Sequence, residues 1–301
     1  MATSQKRKLN INPTPMIKKL EVLVKAKMRA GLLGAYISIF KGVSGIEFDG
    51  YRDYTQDDDA SLIDWKATAR SKRLLVKEYV ETKELEVFFL IDLSNSMVFG
   101  STEKLKNEYA AELALTLAYI ILINGDKVGY AMFNQGIIKM RRHSKGILQF
   151  IRMNADFADP NNHGGGYNLT NALEFVDNFI EKKGTMLVII SDFIGEKRLS
   201  SKMKLIAQKF DTIAIMVRDP RDSTLPTDVD QVLIQDPFSR EKTIIDSALL
   251  SSFYEAYVKK EEKETRNSFI RLNIDFIKLM TNRDFVNPMI ELFSKRRASW
   301  K

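Results

Sequence analysis

Residues 87–97 of the chain read Val87-Phe88-Phe89-Leu90-Ile91-Asp92-Leu93-Ser94-Asn95-Ser96-Met97. The first five are β-branched, aromatic or aliphatic, and such a continuous apolar run is typical of a strand that is buried on both faces. An Asp-x-Ser-x-Ser loop begins where the run ends. Ligands of open α/β sheets bind outside the carboxyl ends of the strands, and a carboxylate with two hydroxyls offers hard oxygens to a small divalent cation. We therefore interpret Asp92, Ser94 and Ser96 as metal-binding residues.

Strand and helix patterns alternate from residue 86 onwards. Further apolar runs cover residues 128–133, 186–190 and 212–217, and helical patterns lie between them. This alternation predicts an α/β fold with a doubly wound, mostly parallel sheet. A turn at Asn134-Gln135-Gly136 predicts one hairpin, whose second strand covers residues 137–140. A long charged helix over about residues 247–271, a strand near Phe276 and a last helix complete the predicted order.

The composition excludes several classes of protein and site. The chain has 301 residues and no cysteine, which excludes disulfides, thiolate zinc sites and a cysteine nucleophile. No apolar run reaches the roughly 20 residues that a membrane-spanning helix needs. The basic residues near the amino terminus are not followed by the continuous apolar core of a secretory signal. We therefore expect a cytoplasmic protein without an integral membrane segment.

The excess of positive charge is concentrated at the amino terminus. The net charge is +7, and residues 1–30 hold eight Lys and Arg residues against one acidic residue, Glu21. A helix is predicted from Thr14, with an apolar face formed by Ile17, Leu20, Val24 and Met28. We favour packing of this face on the protein's own sheet. The alternative is docking to a membrane surface or to nucleic acid through Lys18, Lys19, Lys25, Lys27 and Arg29. Nucleic acid is the less favoured partner, because the rest of the chain is neutral.

A second carboxylate is predicted to reach the same edge of the sheet. Asp192 lies just beyond the apolar run 186–190, and the carboxyl ends of parallel strands share one edge. Two carboxylates match the charge of one Mg²⁺, with Mn²⁺ and Ca²⁺ as alternatives. A site with few protein ligands leaves coordination positions for water or for a partner's carboxylate. The sequence therefore predicts a metal centre of Asp92, Ser94, Ser96 and Asp192 that recruits a partner protein.

This arrangement resembles the metal-ion-dependent adhesion site (MIDAS) of von Willebrand factor A-type domains. In that family, Asp-x-Ser-x-Ser is joined by a Thr from a second loop, where it follows a Gly-Gly pair, and by an Asp from a third loop. Aligning Gly165-Gly166 with that pair puts Tyr167 where the Thr belongs. The resemblance implies a von Willebrand A-like fold, with Thr170 or a water molecule in place of the missing hydroxyl.

A second set of motifs precedes the first buried strand. It consists of Arg52-Asp53-Tyr54, Asp57-Asp58-Asp59, Ile63-Asp64-Trp65 and Arg70. In this order the motifs resemble bacterial proteins of "domain of unknown function 58" (DUF58), over roughly residues 40–295. Asp57 stands where that family usually has Gly, and Ser61 stands where Arg is common. Members of the family are often associated with MoxR-type AAA+ ATPases, so the resemblance implies a partner of this kind.

The patterns divide the chain into three parts. Residues 1–80 hold the basic helix and the upstream motifs, residues 81–246 form the von Willebrand A-like domain, and residues 247–301 form a C-terminal helical extension packed on it.

Within the first part we interpret seven residues as a network that ties this segment to the sheet: Arg52, Tyr54, Asp58, Asp59, Asp64, Trp65 and Arg70. Arginine–carboxylate pairs are suited to such a structural purpose. A partner-binding surface is the alternative.

The sequence favours a non-catalytic, Mg²⁺-dependent protein-interaction module. The alternative is a metal-dependent hydrolase that uses Asp92 and Asp192, with Asp92 as nucleophile or with a metal-activated water. Phosphatases of the haloacid dehalogenase type, which place an Asp nucleophile after their first strand, need a second Asp two residues later as proton donor. Ser94 occupies that position in this chain. The missing acid therefore favours the interaction module.

Overall fold

The computed structural model describes residues 9–29, 46–55, 58–71, 73–81, 85–182, 184–195 and 200–299. The strands of these residues are β1 (Ile46–Asp53), β2 (Leu75–Glu81), β3 (Glu86–Asp92), β4 (Lys127–Phe133), β5 (Ile137–Ser144), β6 (Met186–Ser191), β7 (Asp211–Arg218), β8 (Gln231–Gln235), β9 (Lys242–Asp246) and β10 (Asp275–Met280). The α-helices are α1 (Thr14–Arg29), α2 (Trp65–Ser71), α3 (Lys106–Ile123), α4 (Ile147–Ala158), α5 (Leu169–Phe179), α6 (Ser201–Lys209), α7 (Pro220–Ser223), α8 (Ser247–Arg271) and α9 (Val286–Ser299).

A six-stranded sheet forms the centre of the fold, in the order β10-β7-β6-β3-β4-β5. The first five strands of this order are parallel, and β5 runs antiparallel to β4. The protein is thus a mixed α/β protein with a mostly parallel sheet, as the alternation of patterns predicts. Strand β5 continues to Ser144, beyond the predicted end at Met140. Its second half is polar because β5 lies at the edge of the sheet, so the apolar pattern ends before the strand does.

Helices cover both faces of the sheet because its central strands are apolar on both sides. Along β3, Phe89 and Ile91 pack into one hydrophobic cluster, and Phe88 and Leu90 pack into a second, as the pleat of a strand requires. The first cluster also contains residues of α1, α3, α4 and α9. The second contains residues of α5, α6 and α8. This two-sided packing leaves the ends of the strands as the place where polar side chains can gather.

Helix α1 packs against the protein's own core. Leu20 is buried in the first hydrophobic cluster, Ile17 is buried as well, and Lys19 forms an ion pair with Asp284 ahead of α9. At these two positions the apolar face therefore packs within the protein, as favoured, but the contacts of α1 are with helices α3 and α9 that cover the sheet. The side chains from residue 23 onwards lie outside the described residues. Docking through the basic side chains of this helix thus stays a prediction.

The C-terminal part of the chain completes the sheet. Strand β10 pairs in parallel with β7, and Phe276 of β10 stacks on Phe269 of α8 with ring centroids 5.6 Å apart. The sheet therefore continues into residues 247–301. This range is predicted as a helical extension packed on the domain, and the strand predicted near Phe276 joins the sheet within it. Every helix in the described part of the chain is too short or too polar to span a bilayer.

Two small antiparallel sheets lie outside the main sheet. Strands β1 and β2 pair with each other, and the chain between them carries most of the upstream motifs. Strands β8 and β9 form a hairpin that contacts α8.

Candidate metal centre

Four oxygen-bearing side chains meet at the carboxyl edge of the two central strands. Asp92 is the last residue of β3, and Asp192 follows β6, which is the parallel neighbour of β3. Ser94 and Ser96 lie in the loop after β3. All four side chains are buried. The structure therefore brings together the four residues that the sequence predicts as the metal centre, and we call them the oxygen cluster.

Hydrogen bonds connect the members of the oxygen cluster. The Ser94 N–H donates to Asp92 Oδ1 at 2.8 Å, and the hydroxyls of Ser94 and Ser96 lie 3.1 Å apart. The Ser96 hydroxyl donates to Asp192 Oδ1 at 3.2 Å. The same carboxylate oxygen accepts the Ile194 N–H at 3.0 Å. The two serine hydroxyls thus form a bridge between the two carboxylates.

Ser191 holds Asp92 in place, although sequence reasoning did not assign it to the site. Its hydroxyl donates to Asp92 Oδ2 at 2.6 Å and accepts the Phe193 N–H at 2.9 Å. Phe193 has a φ of 54°, in the left-handed region that non-glycine residues rarely adopt. The signal in the sequence is the position of Ser191, which ends an apolar run and directly precedes the predicted ligand Asp192.

The two carboxylates differ in their electrostatic surroundings. Burial, and then the negative charge of Asp192, raises the pKa of Asp92 from 3.8 to about 7. Burial also acts to raise the pKa of Asp192, but the positive charges of Lys106 and Arg218 hold it below its ordinary value. Asp92 is therefore the carboxylate whose negative charge is poorly compensated in the folded protein.

Lys106 is a second residue of the site that sequence reasoning missed. It is the first residue of α3, its side chain is only 1% exposed, and its Nζ donates to Asp192 Oδ2 and to Asp222 Oδ2, both at 2.8 Å. Positive charge is disfavoured at the start of a helix by the helix dipole. A lysine at the first position of a helix is thus the signal that the sequence offers. An ammonium group lies in contact with one of the predicted metal ligands.

A glycine-rich loop packs directly against the Asp-x-Ser-x-Ser loop. The Gly164 N–H donates to the Leu93 carbonyl at 2.7 Å, and Asn95 and Gly165 exchange two hydrogen bonds of 2.9 Å. Both glycines have positive φ, and a Cβ on Gly165 would lie only 2.6 Å from the side-chain nitrogen of Asn134. The positive φ of both residues, and the closeness of Asn134 to Gly165, therefore favour glycine at these two positions.

Tyr167 and Thr170 follow the glycine-rich loop. Tyr167 stands where von Willebrand A-type domains have the metal-binding Thr of their second loop, and Thr170 is the predicted substitute. The ring of Tyr167 packs against those of Phe133 and Phe238, with centroids 6.0 and 6.2 Å away. Thr170 lies in the first turn of α5. Within the described ranges, no hydrogen bond joins Thr170 to the oxygen cluster. Its contribution to metal binding stays a prediction.

The upstream motifs form a local network. Arg52 and Asp58 make a bidentate ion pair, and Asp58 also accepts the Thr55 N–H at 2.9 Å. The Arg52 guanidinium, and then the Thr55 N–H, holds the pKa of Asp58 well below its ordinary value. Asp64 accepts the Tyr51 hydroxyl at 3.0 Å and two backbone N–H groups at the start of α2. These contacts stabilise the segment between β1 and β2.

Two further residues of the network support the backbone of the same segment. Asp59 accepts the Ser61 N–H at 2.9 Å and thereby caps the short helical turn Ala60–Leu62. Tyr54 is half-buried, and its N–H donates to the Leu74 carbonyl at 2.8 Å. Both therefore act locally, and a tie from this segment to the central sheet stays a prediction.

Trp65 and Arg70 lie at the protein surface. The Trp65 residue is 66% exposed, and Arg70 is exposed as well. Among the residues that the structure describes, no ion pair joins Arg70 to Asp58 or Asp64. The sequence allows Arg52 and Arg70 to pair with Asp58, Asp59 or Asp64, and of these pairs the structure shows the one between Arg52 and Asp58. The exposure of Trp65 leaves partner binding open as the alternative interpretation.

The donor set of the oxygen cluster suits a small hard cation. Two carboxylates and two hydroxyls offer only oxygen, which is the ligand type that Mg²⁺ and Ca²⁺ prefer. In the part of the chain that the structure describes, no group of three or more His, Asp or Glu side chains could hold a metal ion. A metal site here therefore depends on the serine hydroxyls to supplement the two carboxylates. The residues fit such an ion, with Lys106 as an unfavourable neighbour.

Solved structures that are similar to this chain include two proteins from Bacteroides species. One is the conserved hypothetical protein BatB from Bacteroides thetaiotaomicron, with a TM-score of 0.45 and 16% identity. The other is an aerotolerance-related membrane protein from Bacteroides fragilis, in a variant with multiple mutations to serine, with a TM-score of 0.45 and 18% identity. Each similarity covers 71% of this chain and 99% of the other chain.

Comparison of sequences identifies the family. Uncharacterized proteins of Mycobacterium tuberculosis and Mycobacterium bovis are each 28% identical to this chain over 290 residues, which cover 93% of this chain and 89% of each relative. The family model described as "Protein of unknown function DUF58" matches residues 50–266, which is more than half of the chain. The protein therefore belongs to the DUF58 family.

Proposed function

We propose that this protein is a non-catalytic interaction module with a von Willebrand A-like domain, which binds an acidic side chain of a partner protein through a divalent cation. Mg²⁺, with Mn²⁺ and Ca²⁺ as alternatives, would be held by the oxygen cluster of Asp92, Ser94, Ser96 and Asp192. A MoxR-type AAA+ ATPase is the proposed partner, and the cytoplasm is the proposed location. The observation that carries the proposal is the convergence of these four oxygen-bearing side chains at one edge of the sheet.

The surroundings of the oxygen cluster support the von Willebrand A-like interpretation. The resemblance requires three loops to meet, and the loops around Ser94, Gly165 and Asp192 are joined by hydrogen bonds. Val98 and Phe99 follow the first loop and are 42% and 43% exposed. Exposed apolar side chains beside a polar centre are typical of a protein-binding surface. The MoxR-type partner rests on the family resemblance alone.

The chemistry of the site supports binding rather than catalysis. When bound, the cation supplies a Lewis-acidic coordination position for a partner's carboxylate. A hydrolase that uses Asp92 and Asp192 would also need a general acid or base near the reacting group. His163 precedes the glycine-rich loop, but its two ring nitrogens lie 2.8 Å from the Asn107 side chain and 2.8 Å from the Phe157 carbonyl. This imidazole is therefore already engaged within the protein.

Binding between the purified full chain and a purified MoxR-type ATPase from the same source tests the proposal. We expect capture of the ATPase in Mg²⁺ and loss of capture in EDTA. Asp92→Ala should lose capture in both buffers, because it removes a ligand of the cation. Asp228→Ala is the matched control, since it removes an exposed carboxylate elsewhere on the protein. If Asp92→Ala captures the ATPase as wild type does in both buffers, the metal bridge is wrong.

The hydrolase alternative has its own test. Wild type and Asp92→Asn are assayed with a panel of phosphoester and peptide substrates in Mg²⁺ and in EDTA. We expect no turnover above background. Mg²⁺-dependent turnover that Asp92→Asn abolishes would replace the interaction module with an enzyme.

A further inference from the structure

Lys106 occupies an unusual position for a lysine. Its side chain is 1% exposed, it begins helix α3, and its Nζ lies 5.6 Å from the centre of the Phe99 ring. Burial of an ammonium group and its location at the start of a helix are both unfavourable. The group is retained by its ion pairs with Asp192 and Asp222. The position of Lys106 is therefore explained by these two carboxylates and not by the stability of the helix.

The two oxygens of Asp192 have different partners. Oδ1 accepts the Ser96 hydroxyl and the Ile194 N–H, whereas Oδ2 accepts Lys106 Nζ. Asp92 has no lysine or arginine among its hydrogen-bond donors in the described structure, because the Ser94 N–H and the Ser191 hydroxyl engage its two oxygens. The ammonium group of Lys106 thus pairs with Asp192 and not with Asp92.

The second partner of Lys106 fixes the ammonium group in place. Asp222 Oδ2 also accepts the Asp219 N–H at 2.9 Å, and Asp219 in turn accepts the Ser101 N–H and the Thr281 hydroxyl. The Oδ2 atom of Asp222 that accepts Lys106 Nζ is therefore also held by a backbone N–H. A lysine between two anchored carboxylates cannot leave Asp192 without losing a buried ion pair.

We propose that Lys106 is a built-in counter-ion of Asp192, which weakens the binding of a divalent cation to the oxygen cluster. This inference rests on the proposed metal centre. The ammonium group engages one oxygen of a ligand, and its charge opposes a second cation nearby. A partner's carboxylate adds the negative charge that offsets this repulsion. Cation and partner therefore bind cooperatively, and the cation alone binds weakly.

Calorimetric titration of the full chain with Mg²⁺ tests this assignment. Lys106→Met removes the charge and retains an unbranched side chain beside Phe99, whereas Lys106→Arg retains the charge. We expect Lys106→Met to bind Mg²⁺ about tenfold more tightly than wild type, and Lys106→Arg to bind it as wild type does. A purely structural lysine would leave the affinity of all three proteins equal. Equal affinities of wild type and Lys106→Met would overturn the assignment.

A second variant, Asp222→Asn, tests the assignment even if Lys106→Met does not fold. Asp222→Asn retains the lysine and the acceptor for the Asp219 N–H, but it removes one of the two charges that share the ammonium group. We expect Asp222→Asn to bind Mg²⁺ more weakly than wild type. If Lys106→Met does not fold, Lys106→Gln replaces it, and the rise in Tm on addition of Mg²⁺ is compared with that of wild type. A rise no larger than that of wild type would contradict the assignment.

The outcomes for Lys106 and for the proposed function are distinguishable. If Lys106→Met binds Mg²⁺ and wild type alone does not, the counter-ion assignment stands, and the capture of the ATPase by wild type in Mg²⁺ and in EDTA decides the proposed function. If both bind Mg²⁺ equally, the metal centre stands and the assignment of Lys106 is wrong. If neither protein binds Mg²⁺, both proposals are wrong.

Discussion

Asp92 is surrounded by neutral donors, whereas Lys106 supports Asp192. Because the pKa of Asp92 is raised from 3.8 to about 7, the folded protein holds this proton more tightly than the unfolded chain does. The contribution of Asp92 to stability is therefore fully present below pH 3.8 and is lost as the pH rises through 7. The ionised Asp92 carboxylate thus destabilises the fold near neutral pH. A destabilising residue of this kind is consistent with a function in binding the proposed cation.

We expect Asp92→Asn to stabilise the metal-free protein by about 2 kcal/mol at a pH of about 8, and to have a smaller effect at a pH of about 5. The amide is neutral at both pH values and retains an acceptor for the Ser94 N–H. Urea unfolding in EDTA measures the difference. Asp228→Asn, which changes an exposed carboxylate, should leave stability unchanged at both pH values. A variant less stable than wild type at the higher pH would contradict the expected effect of the buried charge.

Helix α3 carries charged side chains into the interior of the protein. Glu108 Oε1 accepts the Asn10 N–H at 2.6 Å, and Glu112 Oε1 accepts the Asn12 N–H at 2.7 Å. Both carboxylates are buried. The apolar pattern and Gly125 predict a helix from about Lys104 to Asn124, which agrees with α3 to within two residues because periodicity and caps are local features. Lys104 and the Leu105 N–H are local partners of these two carboxylates. The Asn10 and Asn12 N–H groups come from about a hundred residues earlier, and no local pattern reveals them.

The extended arm of residues 9–13, ahead of α1, is expected to stabilise the protein through these carboxylates. Deletion of residues 1–13 removes one N–H donor from each buried carboxylate, while Glu112 keeps its ion pair with Lys104 and Glu108 keeps the Leu105 N–H. The loss of two hydrogen bonds to charged groups should cost about 3 kcal/mol of unfolding free energy relative to deletion of residues 1–8. The shorter deletion is the control because it retains the arm. Urea unfolding of the two proteins measures the cost. Equal stabilities would show that Glu108 and Glu112 do not depend on the arm.

The strands of the central sheet are predicted from the sequence more completely than the contacts of the candidate site. Buried parallel strands are continuous apolar runs, so four central strands and their order of alternation with helices are predictable. The edges are less predictable, because β5 is half polar and β10 lies beyond the predicted domain end. In the site, the convergence of the four residues of the oxygen cluster is predicted from their positions after the strands. Ser191 and Lys106 are missed, since their parts depend on contacts between distant elements.

Arg296 of α9 joins the C-terminal helix to two strands of the sheet. It forms ion pairs with Asp211 at the start of β7 and with Asp275 at the start of β10, and its side chain is largely buried. We expect Arg296→Met to lower the free energy of unfolding by about 2 kcal/mol, a value reduced for the partial exposure of both carboxylates. Urea unfolding measures the loss. Lys295→Met removes an exposed charge from the same helix as control, and an equal effect of both variants would rule out the expected contribution of the ion pairs.

The burial of the oxygen cluster has a consequence for kinetics. The glycine-rich loop is bonded to the loop that carries Ser94 and Ser96, so an ion from solvent reaches the carboxylates only after a local opening. The frequency of that opening, and not the diffusion of the ion, then limits how fast the site fills and empties. Exchange of the ion is expected to be slow, so that a protein once loaded retains its state through brief changes in the supply of metal.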